Sequence, residues 1–203
     1  AIQLGHAGRK ASSKAPWLGG QQLVPGSPDG WQTVAPSALS HNEGEHLPDA
    51  LDENGIAKVI DDFVVASQRS ARLGLDGIEL HMAHGYLLHQ FLSPLANRRN
   101  DHYGGSLENR MRLPLEVFRA VRAAFPKERP VWVRISASDW VSGGWDVEQS
   151  IELARQLDTD LMDEGNRWIH RAAISQVLAT WFVIRRVADF AEDLIIPRQV
   201  VVG

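Results

Sequence analysis

Two short segments, residues 77–81 and the largely apolar 131–136, read as strands, and each is followed by a polar loop and then by a stretch of helical period. That alternation constrains the fold more than any other feature. A run of four to six apolar residues is a buried strand, and strands separated by helices must lie parallel. Ile56, Val59, Ile60, Phe63, Val64 and Ser67 recur at helical spacing, with Asp52 as N-cap and Gly74 at the C-terminal stop. Leu107, Met111, Leu115, Phe118 and Val121 predict a second helix, capped by Ser106 and ending near Phe125. Pro126 and Pro130 punctuate before the next strand, and Ile151, Leu153, Ala154 and Leu157 mark a third helix over 146–157. Residues 1–4 read as a further short buried strand. Residues 5–50 read as a long connection rich in Gly, Pro and Ser, a length that is usually functional.

Repeated strand–loop–helix units predict an α/β chain of (β/α)8 barrel type. In such barrels chemistry sits on the loops after the strands. Gln3, His81, His84, Tyr86 and Arg134 all fall at those positions.

Composition removes other classes. The chain has 203 residues, enough for one sizeable core, and a formal net charge of -4. A mildly acidic balance predicts neither nucleic acid nor an anionic membrane as partner. There is no cysteine, so no disulfide and no thiolate-held cluster forms within this stretch. No apolar run approaches the roughly 18 residues of a membrane span, and the first residues are not a signal peptide. The expectation is a cytoplasmic protein acting on a small molecule. The sequence does not specify an oligomeric state.

His81 and His84 can each donate a hydrogen bond, and two imidazoles converging on one oxygen would stabilise charge developing there. On a regular strand a spacing of three sends side chains to opposite faces. Convergence therefore requires the strand to end near His81 and the chain to turn, which Gly85 permits. From spacing alone, two loop histidines satisfied by backbone remain the commoner outcome. A zinc site is a third reading, but the sequence nominates no third ligand. Tyr86 is either a proton donor or an aromatic with its hydroxyl in water. Arg134 is a charge inside an apolar strand, so a partner must meet it: an ion pair such as Glu79, water at the strand end, or an anionic cofactor. Gln3 poses the same question in weaker form. Tyr103-Gly104-Gly105-Ser106 reads as a tight turn and helix cap in preference to a phosphate cradle.

Several long motifs stand in order along the chain. They are Gln3-Leu4-Gly5-His6-Ala7-Gly8-Arg9, Asp76-Gly77-Ile78-Glu79-Leu80-His81-Met82-Ala83-His84-Gly85-Tyr86, Asn97-Arg98-Arg99-Asn100-Asp101-His102-Tyr103-Gly104-Gly105-Ser106 with Glu108-Asn109-Arg110, and Val131 to Ser136. Together they resemble the old yellow enzyme family of FMN-dependent ene-reductases, in its NADH:flavin oxidoreductase and xenobiotic reductase-like branch. The resemblance implies an FMN-binding TIM barrel in which Gln3 and Arg134 contact the flavin's pyrimidine edge. It implies that His81 and His84 hold a carbonyl or nitro oxygen of the substrate. Hydride then passes from flavin to an activated alkene, Tyr86 supplies the proton, and NADH or NADPH reloads the flavin.

The family is longer than this chain, so the resemblance implies a partial barrel domain over 1–203, holding about strands 3 to 6 or 7. Asp160-Leu161-Met162-Asp163 is expected as the sixth strand and residues 194–202 as the seventh. After Asp163 the likeness fades, and residues 164–203 are expected to be a divergent tail produced by a reading-frame slip or mis-joined exon. Two other readings stand beside the oxidoreductase. One is an inactive truncated remnant of such an enzyme, and the other is a metal-dependent barrel hydrolase built on His81 and His84.

Overall fold

The computed structural model describes residues 1–163. In chain order the elements are β1 (Ile2–Leu4), β2 (Val34–Ala35), β3 (Asp49–Ala50), α1 (Glu53–Arg72), β4 (Ile78–Met82), α2 (Leu87–Leu92), α3 (Leu107–Ala124), β5 (Val131–Ile135) and α4 (Val147–Asp163). Strands β1, β4 and β5 form one parallel sheet in that order, and β2 and β3 form a separate two-stranded parallel ladder. Sequential strands lie side by side and helices make the crossovers, which is a segment of a (β/α)8 barrel.

The sheet has two chemically distinct faces because side chains alternate along a strand. Ile78, Leu80, Met82, Val131, Val133 and Ile135 face the helices and are buried in one core with Ile56, Val59, Phe63, Leu113, Val117, Phe118 and Val121. Each such side chain contributes roughly 1.5–3 kcal/mol on burial. The other face carries Gln3, Glu79, His81, Trp132 and Arg134, and the register puts Gln3 beside Glu79, Glu79 beside Trp132, and His81 beside Arg134. A polar barrel interior is therefore written into every second residue of three strands.

The caps form where side-chain chemistry asks for them. Asp52 accepts a 2.7 Å hydrogen bond from the Gly55 amide, and α1 stops at Arg72 with Gly74 at φ +73°. Ser106 accepts from the Asn109 amide at 3.3 Å and starts α3. A Cβ on Gly104 would lie 2.4 Å from the Arg99 Cβ, so that glycine serves a close approach within the turn.

Two expectations need correction. Residues 1–4 do form a strand, but Ile2 and Gln3 are exposed, because β1 pairs only with β4 among the described residues. Asp160 to Asp163 are not a sixth strand: α4 runs on through Asp163, since no Gly or Pro interrupts the helical period after Leu157. The long connection over 5–50 contains β2, β3 and two short 3-10 turns. Helix α2 was not anticipated, because Leu87-Leu88-His89-Gln90-Phe91-Leu92 is buried at every position and shows no amphipathic period. The seventh strand expected over 194–202 and the divergent tail lie outside the described residues.

Candidate functional site

Strand β4 ends at Met82, and the chain then turns sharply. His84 and Gly85 both adopt left-handed conformations, φ +57° and +70°. For a non-glycine residue that is uncommon and mildly costly, and three contacts hold it. The His84 amide donates to Ser136 Oγ at 2.9 Å, Lys10 Nζ donates to the His84 carbonyl at 3.0 Å, and the Gly85 amide donates to His89 Nδ1 at 2.8 Å. This turn solves the convergence problem that the three-residue spacing poses. His81 Nε2 and His84 Nδ1 stand 3.3 Å apart, with ring centroids 5.0 Å apart and rings near perpendicular. Tyr86 lies beside them, its ring centroid 4.7 Å from that of His81.

The tautomers follow from the backbone. His81 Nδ1 accepts from the Ala83 amide at 3.3 Å, so the His81 proton sits on Nε2 and donates to His84 Nδ1. A neutral His84 then carries its proton on Nε2. The two imidazoles form a directed chain in which His84 Nε2–H is the terminal donor. Two parallel donors on one oxygen, as the sequence predicts, would require His81 to release His84 and turn its Nε2–H to the same ligand. Both rings are held below the ordinary imidazole range. For His81 the causes are burial, then the His84 and Arg134 charges; for His84 they are burial, then Arg134, His89 and Lys10. Both are therefore neutral donors at pH 7.

Gly5 explains how β1 exits so close to this pair. A Cβ there would lie 3.2 Å from the Cβ of buried His81. The same exit brings Lys10 to 5.7 Å from the centre of the Tyr86 ring, a cation over its face.

One residue down the sheet, Glu79 organises the second group of side chains. Its Oε1 accepts from Gln3 Nε2 at 2.5 Å and Arg134 Nε at 2.8 Å, and its Oε2 accepts from Trp132 Nε1 at 2.7 Å and Arg134 Nη2 at 3.4 Å. The Glu79 ion pair that sequence reasoning left open as a partner for Arg134 is present. Burial opposes ionisation of Glu79, yet hydrogen bonds from Arg134, Gln3 and Trp132 outweigh it and hold the carboxyl below its ordinary range. With Nε2 committed to Glu79, the Gln3 amide keeps its Oε1 and a second N–H for another partner. An acceptor next to a donor, with a guanidinium two strands away on the same face, matches the donor and acceptor set of a flavin pyrimidine ring.

Gln3, His81, His84, Tyr86 and Arg134 thus share one end and one face of the sheet. Sequence reasoning did not single out Lys10, His89, Ser136 or Asp139 near them. Ser136 was detectable in principle, because it lies two residues beyond Arg134, immediately after the end of β5. His89 was not, since an apolar helix hides its partner 50 residues away. Among the described residues there is no group of three or more His, Asp or Glu side chains able to hold a metal ion, so a zinc reading of the His81–His84 pair still lacks its third ligand. No helix of the described residues is long and apolar enough to cross a membrane.

The arginine-rich segment after α2 has a structural use. Arg99 pairs with Asp101 at 2.6 Å and donates to the carbonyls of Pro36 and Leu51, and Asn97 Nδ2 ties the Phe91 and Tyr103 carbonyls at 2.8 Å each. These bonds fasten the long connection against the loop below the site.

The sequence pattern of the NADH:flavin oxidoreductase / NADH oxidase family matches residues 1–182 of this chain, reaching past Asp163. The chain belongs to this family. A relative from Gibberella zeae, NADH:flavin oxidoreductase FG08077, is 43% identical over 185 residues, covering 83% of this chain and 45% of the relative. The solved structure of morphinone reductase in complex with tetrahydroNAD is 38% identical, with TM-score 0.63, and the match covers 79% of this chain and 46% of that one. An old yellow enzyme homologue from Zymomonas mobilis is 32% identical with TM-score 0.61, covering 78% and 44%. The chain therefore spans slightly under half the length of these family members.

Proposed function

We propose that this chain carries the oxygen-binding, protonating and flavin-edge parts of an FMN-dependent oxidoreductase, which takes hydride from NADH or NADPH and delivers it to an activated alkene or nitro compound. The observation that carries the reading is one juxtaposition. Neutral His81 and His84 and the phenol of Tyr86 meet at the C-terminal end of β4, on the face that also holds Gln3 and Arg134. Family membership and the nicotinamide analogue bound by morphinone reductase support the same choice of cofactor and reductant.

FMN, when bound, supplies reversible hydride chemistry that no side chain provides. Gln3 would offer its amide edge, and Arg134 its positive charge, to the pyrimidine ring. His84 Nε2–H, joined by His81 Nε2–H, would donate to the substrate oxygen and draw electron density from the conjugated double bond. Tyr86 would give its phenolic proton to the carbon beside the activating group. Protons balance when solvent returns one to Tyr86.

Separate half-reactions test the proposal. Anaerobic NADPH should reduce the FMN-loaded chain, and 2-cyclohexenone or a nitroalkene should reoxidise it. Reduction by the nicotinamide without reoxidation by either acceptor would refute the alkene and nitro assignment.

A further inference from the structure

The turn that carries His84 is governed from outside it. The Gly85 amide donates to His89 Nδ1 at 2.8 Å, so the proton of a neutral His89 lies on Nε2. That nitrogen lies 3.1 Å from Asp139 Oδ1, an ion-pair distance at which its N–H is not aligned as a hydrogen bond, so the carboxylate acts on it by charge. Asp139 Oδ2 in turn accepts from Ser93 Oγ at 2.6 Å and from the Trp145 amide at 2.8 Å. The Asp139 amide donates back to the Trp145 carbonyl at 2.8 Å, which closes the loop after β5 into a rigid hook. His89 is 5% exposed, so water does not compete for either ring nitrogen. Burial opposes ionisation of Asp139, but His89 beside it and the hydrogen bonds from Ser93 and Trp145 keep it a carboxylate.

We infer that His89 and Asp139 are positioning residues that set the orientation of His84 by fixing the His89 tautomer. Resting on the proposed function, this pair tunes how His84 meets the substrate oxygen while touching neither substrate nor flavin. A carboxylate can only accept, so it holds the His89 proton on Nε2. Nδ1 is then an obligatory acceptor, and the Gly85 N–H is its donor. The residue immediately before Gly85 is His84, whose left-handed φ of +57° persists only while the turn is over-determined. Ser136 and Asp139 both follow β5, the strand of Arg134. One loop thereby registers the oxygen-binding histidine against the cofactor-edge arginine.

Two substitutions separate tautomer control from simple packing. In Asp139→Asn the oxygen can stay with Ser93 and Trp145, which turns the amide NH2 toward His89 Nε2. His89 must then move its proton to Nδ1, where it opposes the Gly85 N–H. In His89→Gln the side-chain oxygen can still accept from Gly85 and the NH2 can still donate to Asp139. We expect Asp139→Asn to speed hydrogen exchange of the Gly85 amide about 100-fold, to invert the two His89 imidazole 15N shifts, and to leave exchange at Leu113 and Val117 unchanged. We expect His89→Gln to retain wild-type exchange at Gly85, and His89→Leu to lose it. Those readouts need no flavin, so they stand whether or not the chain binds FMN.

In FMN-loaded protein, Asp139→Asn should raise the KM for 2-cyclohexenone about tenfold while leaving flavin reduction by NADPH unchanged. Unaltered His89 shifts and Gly85 exchange in Asp139→Asn would overturn the inference. So would faster Gly85 exchange accompanied by an unchanged enone KM. Failure to load FMN would contradict the proposed function but not the tautomer lock, which the first readouts decide.

Discussion

Arg134 and Glu79 face each other across adjacent parallel strands and join at two points, Nε to Oε1 at 2.8 Å and Nη2 to Oε2 at 3.4 Å. Glu79 thereby binds the two residues assigned to the flavin edge, since its Oε1 also takes the Gln3 amide. A half-buried guanidinium with a carboxylate partner costs far less than one without. The same carboxylate dictates which way the Gln3 amide faces.

Glu79→Gln tests that organisation. The neutral amide removes the countercharge and must present its NH2 to at least one donor. We expect a loss of about 2–3 kcal/mol in denaturant unfolding. The acid limb should change too. Glu79 has a depressed folded pKa, so its contribution is fully present above the unfolded value of about 4.3 and is lost as pH falls through the lower folded value. Between pH 5 and 3 the stability of Glu79→Gln should therefore fall less steeply than that of the wild type. Parallel slopes would contradict the pairing.

His81 and His84 give a pH prediction at higher values. Both imidazoles titrate below the ordinary histidine value near 6.5, so their neutral forms persist as pH falls past it. By the same linkage, their neutral burial stabilises the fold above about pH 6.5, and that contribution is lost as pH falls through the lower folded values. The KM for 2-cyclohexenone should stay flat from pH 8 to 6.5 and change only below. A midpoint at or above 6.5 would show that the histidines are not held neutral by their surroundings. Replacing both with alanine should weaken enone binding by about 10- to 100-fold, the loss of two neutral donors.

Tyr86→Phe removes one proton and preserves the ring against His81. Alkene reduction should slow by about 100-fold or more, the usual worth of a positioned general acid. Flavin reduction by NADPH should not change. Stopped-flow traces of the two half-reactions read this directly, and equal losses in both would count against Tyr86 as donor.

Leu80→Ala probes the scaffold. Leu80 is fully buried at the centre of β4, between the two residues that define the site face, Glu79 and His81. Truncation should cost about 2–5 kcal/mol in unfolding experiments. A change below 1 kcal/mol would mean that the helices do not pack on this strand as described.

The parts of this structure written in local chemistry were readable in advance. Asp52, Gly74 and Ser106 carry helix ends in their own side chains or lack of one, and the apolar run over residues 131–136 identifies β5. The candidate site residues could be proposed because strands put function at their ends and because long motifs resembled a known family. What was hidden depends on residues distant in sequence. The donation from His81 to His84 needs the Ala83 amide to choose a tautomer. The His89–Asp139 contact spans 50 positions. Helix α2 is buried all round and so shows no pattern. The mistaken strand at Asp160 to Asp163 came from expecting barrel order to prevail where the helical period simply continues.

The most direct test is the visible absorption spectrum of the purified chain after incubation with FMN and desalting, followed by anaerobic NADPH and then 2-cyclohexenone. The account predicts a protein-bound flavin band that bleaches with the nicotinamide and returns with the enone. A chain that emerges from desalting colourless would contradict the proposed FMN-dependent activity of this chain and favour the inactive truncated remnant.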